Sequence, residues 1–246
     1  MRRVEVITQP VVRLATSFSV GSALSQGLSI WSRNVVFFLG VSFLAYLPFG
    51  LLPMGTSRFL GGFGVRFLII GGNWIVVLIV QGLVTYAVLE QIHGRTPSIP
   101  EAVAKTWSRT RVLVPVAITT GILLFAALIA LVIPAIVLSV HWAVLSQVVI
   151  AEGDVDARGR SEQLTAGHRW SIFGVMVLFW VASFGLNVMA ATLVRHAGSD
   201  WVTVVSSTLP SALVASVSAV VYSVIYYQLR SEKEGVDIEQ LTSVFR

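Results

Sequence analysis

The chain has 246 residues, of which 55% are hydrophobic and only 12% charged, with a net charge of +5 and a mean hydropathy of +0.83. A soluble domain carries roughly 25% charged residues, so half that share with long apolar runs excludes a soluble fold and specifies an integral membrane protein. The absence of cysteine excludes thiol chemistry, disulfides and cysteine-ligated metals, and basic residues flanking apolar runs fit lipid head groups rather than nucleic acid.

The first apolar run opens near Val35, too late for a cleavable signal peptide. Ahead of it, SVGSALSQGLSIWSRN sets Val20, Ala23, Leu24, Gly27, Leu28 and Trp31 on one helical face, opposite Ser19, Ser22, Gln26, Ser29 and Arg33. With Ser19 as N-cap, this predicts an amphipathic helix lying in the membrane surface. About 20 apolar residues cross a bilayer, so spans are predicted over Val35–Leu52 and Phe67–Leu89. In SIPEAVAKTWSRTRV, Ser98 and Glu101 have capping-box spacing and Pro100 suits a first turn. Ile99, Val103 and Trp107 mark the apolar side of this second surface helix.

The next apolar region, 112–151, is twice the length of one span, and Pro134 in LVIPAIV sits at its middle. Proline breaks or kinks a helix. Two spans are therefore predicted, Val112–Val132 and Pro134–Ala151, joined by a tight turn. A third surface helix follows, with Ala157, Ser161, Leu164 and His168 on one face and Gly167 able to end it. The last spans are Ser171–Leu193 and Trp201–Tyr227. In the tail, Asp237 is a good N-cap, and Val236 and Leu241 have hydrophobic-staple spacing. A short helix carrying Ile238, Leu241 and Phe245 is expected there, docking on the bundle or on a partner protein.

The predicted fold is all-α and polytopic. Six transmembrane helices form three hairpins, each preceded by an amphipathic in-plane helix. The units run about 19–91, 98–151 and 156–228, with a tail over 229–246. Trp-Ser-Arg at 31–33 and 107–109, and Arg169-Trp170, mark a pseudo-threefold repeat. In this layout 14 of the 17 Lys and Arg share a side, leaving Arg58, Arg66 and Arg195 opposite. The positive-inside rule places both termini in the cytoplasm. Arg33, Arg109, Arg160 and Arg169, with Trp31, Trp107 and Trp170, are the candidate head-group contacts, because arginine snorkels and tryptophan favours the interface.

No Asp, Glu, Lys or Arg lies mid-span, which argues against an ion-coupled pump. His141 is the one titratable side chain well inside, read as a neutral histidine bonded to a neighbouring helix. Asn73, Gln81, Gln147 and Asn187 can also bond between helices. Ser211, Ala215 and Ala219 form a small-residue stripe, and Ser218, Tyr222 and Tyr226 a second. Glu90 and His93 have the spacing of half a di-iron carboxylate site, but no second Glu-x-x-His exists. Glu90 and Glu152 are instead read as inner-surface acids pairing with collar arginines. With no hydrolase, nucleotide or metalloprotease motif, no catalytic residue, metal or cofactor is assigned.

The collar GRSEQLTAGHRWSIFG and the ending YYQLRSEKEG carry a resemblance. Glu152, Arg160-Ser161, Leu164-Thr165 and Gly167, together with Tyr227, Leu229, Arg230, Glu232, Glu234 and Gly235, resemble the membrane-domain family of glycerophosphoryl diester phosphodiesterases and its bacterial inner-membrane relatives. The resemblance covers nearly the whole chain. It implies a six-helix or similar membrane domain in the bacterial inner membrane, sometimes fused to a soluble phosphodiesterase barrel. A barrel of about 250 residues has no room here, so a non-catalytic, lipid-associating or scaffold module is expected. A transporter or channel for a lipid or small uncharged solute, using His141, Asn187 and the tyrosine stripe, is the second reading. A membrane-embedded lipid enzyme using Glu90, His93, Glu152 and His168 is the third.

Overall fold

A computed structural model describes residues 17–56, 63–92, 95, 98–153, 156–197 and 200–234. Among them all regular structure is helical: α1 (Val20–Arg33), α2 (Val35–Thr56), α3 (Phe63–Ile92), α4 (Ile99–Ala130), α5 (Val132–His141), α6 (Leu145–Glu152), α7 (Ala157–Thr165), α8 (Arg169–Ala197) and α9 (Asp200–Glu234). Four stretches are long and apolar enough to cross a membrane, Pro100–Ala130, Val132–Glu152, Arg169–Val194 and Trp201–Glu234; α1 and α2, joined at a bend of 87°, raise the number to five if they form one broken span.

The apolar region 112–151 does divide, but three residues ahead of the proline. α4 ends at Ala130, Leu131 is extended (φ −168°, ψ 142°), and α5 starts at Val132. Pro134 then falls in the first turn of α5, where its missing N–H costs no helical bond. The arms α4 and α5–α6 pack against each other, so the chain doubles back at this point. A second break, Trp142–Val144, separates α5 from α6.

The bundle is built around α9, which packs against α1, α2, α3, α6, α7 and α8. Its buried positions include Ala212, Ser216, Ala219, Val220 and Ser223. This small-residue face is turned by one position from the stripe through Ser211 and Ala215, though it keeps Ala219. Small side chains let helices approach closely where apolar area gives little drive. Ser223 donates to Thr85 on α3 (3.1 Å), a bond between two buried hydroxyls.

α1 differs from the expected surface helix. Ser19 caps it as predicted, accepting from the Ser22 N–H at 3.2 Å, but the helix lies lengthwise on α9. Phe18 meets Glu232, Gln26 meets Gln228, and Trp31 donates through Nε1 to Ser216 (3.0 Å). From residue 232 to 216 is about 24 Å of helix, and at the far end of it Trp31 faces the hub. The buried face is Ala23, Gly27 and Ile30, while Leu28 is exposed. Gly27 is required there: a Cβ would come within 2.7 Å of Val221 Cγ2 and 3.1 Å of its Cα.

The second surface helix is not separate. Residues 99–111 continue without a break into the following span as α4, and Ser98 stands at the N-cap position without a side-chain cap bond. Val103 and Trp107 are exposed, and Ala102 and Thr106 are the buried side. The third collar gives a short helix of its own, α7, packed against α5, α6 and α9. The three junctions are thus built in three ways. The tail also begins later than expected, because α9 runs on to Glu234; the predicted helix from Asp237 lies outside the described residues.

Most exposed large apolar side chains lie on four helices: Ile118 to Ile129 on α4, Val132 to Val137 on α5 with Leu131 just ahead of it, Val177 to Leu193 on α8, and Trp201 to Leu209 on α9. Replacing Gly27 with Leu should push α1 off α9 at Val221 and cost about 1–3 kcal/mol, the range for overpacking. Unfolding in a detergent titration would show it, whereas Gly21→Leu, with open space around it, should unfold like the unmodified chain.

Candidate functional site

The polar end of the bundle is organised by α7. Asp156 caps its N-terminus, accepting from the Gly159 N–H at 3.2 Å. Gly167, at φ +90°, turns the chain out after Ala166. Ala157, Ser161, Leu164 and Thr165 are buried. The two buried hydroxyls meet at one carbonyl: Ser161 Oγ (2.9 Å) and Thr165 Oγ1 (3.3 Å) reach that of His141, the last residue of α5, and Thr165 Oγ1 stands equally close to the Glu162 carbonyl. The last carbonyls of a helix have no partner within it. The collar therefore satisfies the end of α5 at the break. Lys233 closes the other end of α7, donating to the carbonyls of Gln163 and of Ala166 (2.9 Å).

A closed ring of charge-assisted bonds joins α6, α7 and α9. Arg160 donates through Nε to Glu152 (2.8 Å) and through Nη2 to Glu234. Glu234 also accepts from Arg230 Nε at 2.9 Å. Arg230 Nη1 donates to the Tyr226 hydroxyl (3.1 Å), which donates to Glu152 Oε1 (2.7 Å). Two guanidiniums face two carboxylates, so the ring is neutral. The hydrogen bond to Glu152 is the main reason the Arg160 guanidinium holds its proton beyond its usual range, with Glu234 adding to it against the opposing effect of burial. Beside the ring, Glu232 accepts from the Phe18 backbone N–H (2.7 Å) and bonds His168 Nε2 (2.9 Å), and the Phe18 and His168 rings stand edge to face at 4.9 Å. The first and last described segments thus meet at one end of the bundle.

The predicted head-group residues do not form one rim. Arg160 is consumed by the ring, and Arg169 sits 3.8 Å from Glu162. Arg109 lies against Gly153, whose φ of +86° is a backbone conformation that L side chains rarely adopt. Arg33 is exposed at the far end of α1. Trp107 and Trp170 point outward, at 76% and 86% exposure, while Trp31 faces α9.

Of the intramembrane candidates, the Ser146 hydroxyl joins Gln81 and Gln147. Tyr222 packs on Phe179, 6.1 Å between centroids. Asn187 stands exposed on α8, bonded to the Ser183 carbonyl at 2.7 Å, so it joins no second helix by that bond. His141 ends α5 and lies 3.9 Å from Glu162 on α7. Glu152 pairs with a collar arginine as expected, but Glu90 pairs with Arg95 (3.6 Å). His93 and the Asn73 side chain lie outside the described residues. Among the described residues no group of three His, Asp or Glu gathers as metal ligands.

Sequence reasoning missed Arg158, and gave Arg230 and Glu234 no structural role. The i, i+4 spacing of Arg230 and Glu234 on a helix that overruns its span was the available signal. Nothing local marks Arg158. Comparisons with family models, curated proteins and solved structures found no match to this chain.

Arg160→Gln strips charge-assisted bonds from two carboxylates and should cost about 2 kcal/mol. The cycle with Glu234→Gln should return a coupling of at least about 0.5 kcal/mol, and strictly additive losses would mean the ring is not closed in solution. Ser161→Ala with Thr165→Val removes both donors to the His141 carbonyl, with an expected loss of about 1–3 kcal/mol read by the same unfolding titration.

Proposed function

We propose that this chain is a non-catalytic membrane module that associates with phospholipid and presents a rigid polar end for a partner. The observation that carries the reading is the division of its surface. A broad apolar belt covers α4, α5, α8 and α9. At its border Trp107 and Trp170 point outward, close in sequence to Lys105, Arg109 and Arg111, for which no acidic partner stands among the described residues. Cations beside outward tryptophans suit an anionic head-group layer.

The topology that goes with it is six crossings as three hairpins, α2 and α3 each crossing, with both termini in the cytoplasm of a bacterial inner membrane. The contact of Phe18 with Glu232 supports an even number of crossings. Kinship with the phosphodiesterase membrane-domain family belongs to the same reading and rests on sequence resemblance alone. The solute-transport reading needs a polar path through His141, Asn187 and Tyr222. The outward position of Asn187 and the buried apolar residues Val220, Val224 and Ile225 along α9 favour the lipid-associating module.

The chain has no cysteine, which allows a clean test. Single cysteines at Ser17 and Ser243 should both react with an impermeant maleimide in inside-out vesicles and neither in right-side-out ones; opposite sidedness would reject the topology. In native mass spectrometry of the detergent-extracted protein, phosphatidylglycerol should be retained over phosphatidylcholine. Arg109→Gln with Arg111→Gln should reduce that retention about thirtyfold, from about 1 kcal/mol per basic residue. Equal retention of the two lipids would reject the head-group reading.

A further inference from the structure

Arg158 has a setting unlike the other collar cations. From the second position of α7 it reaches across to α4, where Nε donates to the Thr120 hydroxyl (3.1 Å) and Nη2 donates to the Thr119 hydroxyl and the Val116 carbonyl (3.5 Å). Its Cζ lies 5.7 Å from the Trp142 ring centroid, within cation–π range. These acceptors are neutral, and no carboxylate among the described residues pairs with it. A guanidinium has five N–H donors. Those on Nη1 have no protein acceptor among the described residues.

The site borders the apolar belt. Ile118 (51% exposed) and Ile122 (62% exposed) flank Thr119 on α4. A hydrocarbon layer is about 30 Å thick, or about 20 helical residues. Counted back from the turn at Leu131 it ends near Arg111, which puts Thr119 about 10 Å inside. An arginine at such a depth is costly unless it reaches an anion or draws the head-group layer toward itself. Hydroxyls and an aromatic wall orient the guanidinium but leave its charge whole.

We infer that Arg158, with Thr119, Thr120 and Trp142, forms a seat for the phosphate of a phospholipid whose acyl chains lie along Ile118 and Ile122. The free edge of the guanidinium takes the phosphodiester oxygens, and Trp142 closes the side away from lipid. This deepens the lipid-associating reading, rests on it, and assigns it a residue that the collar pattern does not contain.

The test uses the full chain in dodecyl maltoside with phosphatidylglycerol titrated in, read by native mass spectrometry. Arg158→Gln should weaken the tightest-bound lipid about fivefold, the equivalent of one basic residue at an anionic surface. Arg158→Lys, which keeps charge but loses the fork, should fall between; if the glutamine variant does not fold, the lysine variant carries the comparison. Inorganic phosphate added without lipid should not bind in an Arg158-dependent manner. Retention by Arg158→Gln equal to that of the unmodified chain overturns the seat while leaving the lipid-associating reading intact. Arg158-dependent capture of free phosphate matching that of the lipid makes it a soluble-anion site and overturns it as well. Failure of the unmodified chain to hold any phospholipid sinks both readings at once.

Discussion

Water is scarce inside this bundle, so each polar group that leaves a helix must find a partner within the protein. That constraint explains why so much is gathered at one end of α9. The last two turns of this helix carry Arg230, Glu232, Lys233 and Glu234; the last three each engage a neighbouring segment, while Arg230 braces Glu234 and Tyr226 on α9 itself. Without them Arg160 of α7, the last carbonyls of α7 and the Phe18 N–H ahead of α1 would lose their partners on α9. The ring through Glu152, Arg160, Glu234, Arg230 and Tyr226 is neutral and mostly shielded, a combination in which removing one member leaves another uncompensated.

Long-period features of the fold were legible in the amino-acid order; interactions between distant residues were not. Apolar run length located the four stretches long and apolar enough to cross a membrane, and Pro134 marked a real break, because both depend on local physics. The displacement of that break to Leu131 follows from where proline is tolerated, in the first turn of the next helix. The merging of residues 99–111 with the span was not legible, since a charged amphipathic segment and the exposed start of a long helix have the same composition. The placement of α1 was obscured for a different reason. Its apolar face suits a membrane surface or a second helix equally well, and only Gly27 against Val221 and Trp31 against Ser216 decide between them.

The candidate site follows the same division. Arg160 and Glu152 stood out as collar charges, and Ser161 and Thr165 as part of a polar stretch, but what they bind lies 8 to 74 residues away. Within the collar, Arg160, Ser161 and Thr165 spend their hydrogen bonds inside the protein. The cations left over, with Trp107 and Trp170 beside them, are what the surface offers to a membrane or a partner.

The bond from the Phe18 N–H to Glu232 spans 214 positions in the chain, and this has a consequence for biogenesis. The start of α1 leaves the ribosome long before its acceptor exists, and the carbonyl of His141 likewise precedes Ser161 and Thr165. The earlier helices must therefore wait, hydrated or shielded by the insertion machinery, until α9 has been made. Final seating then follows the synthesis of α9, which fastens the described helices made before it.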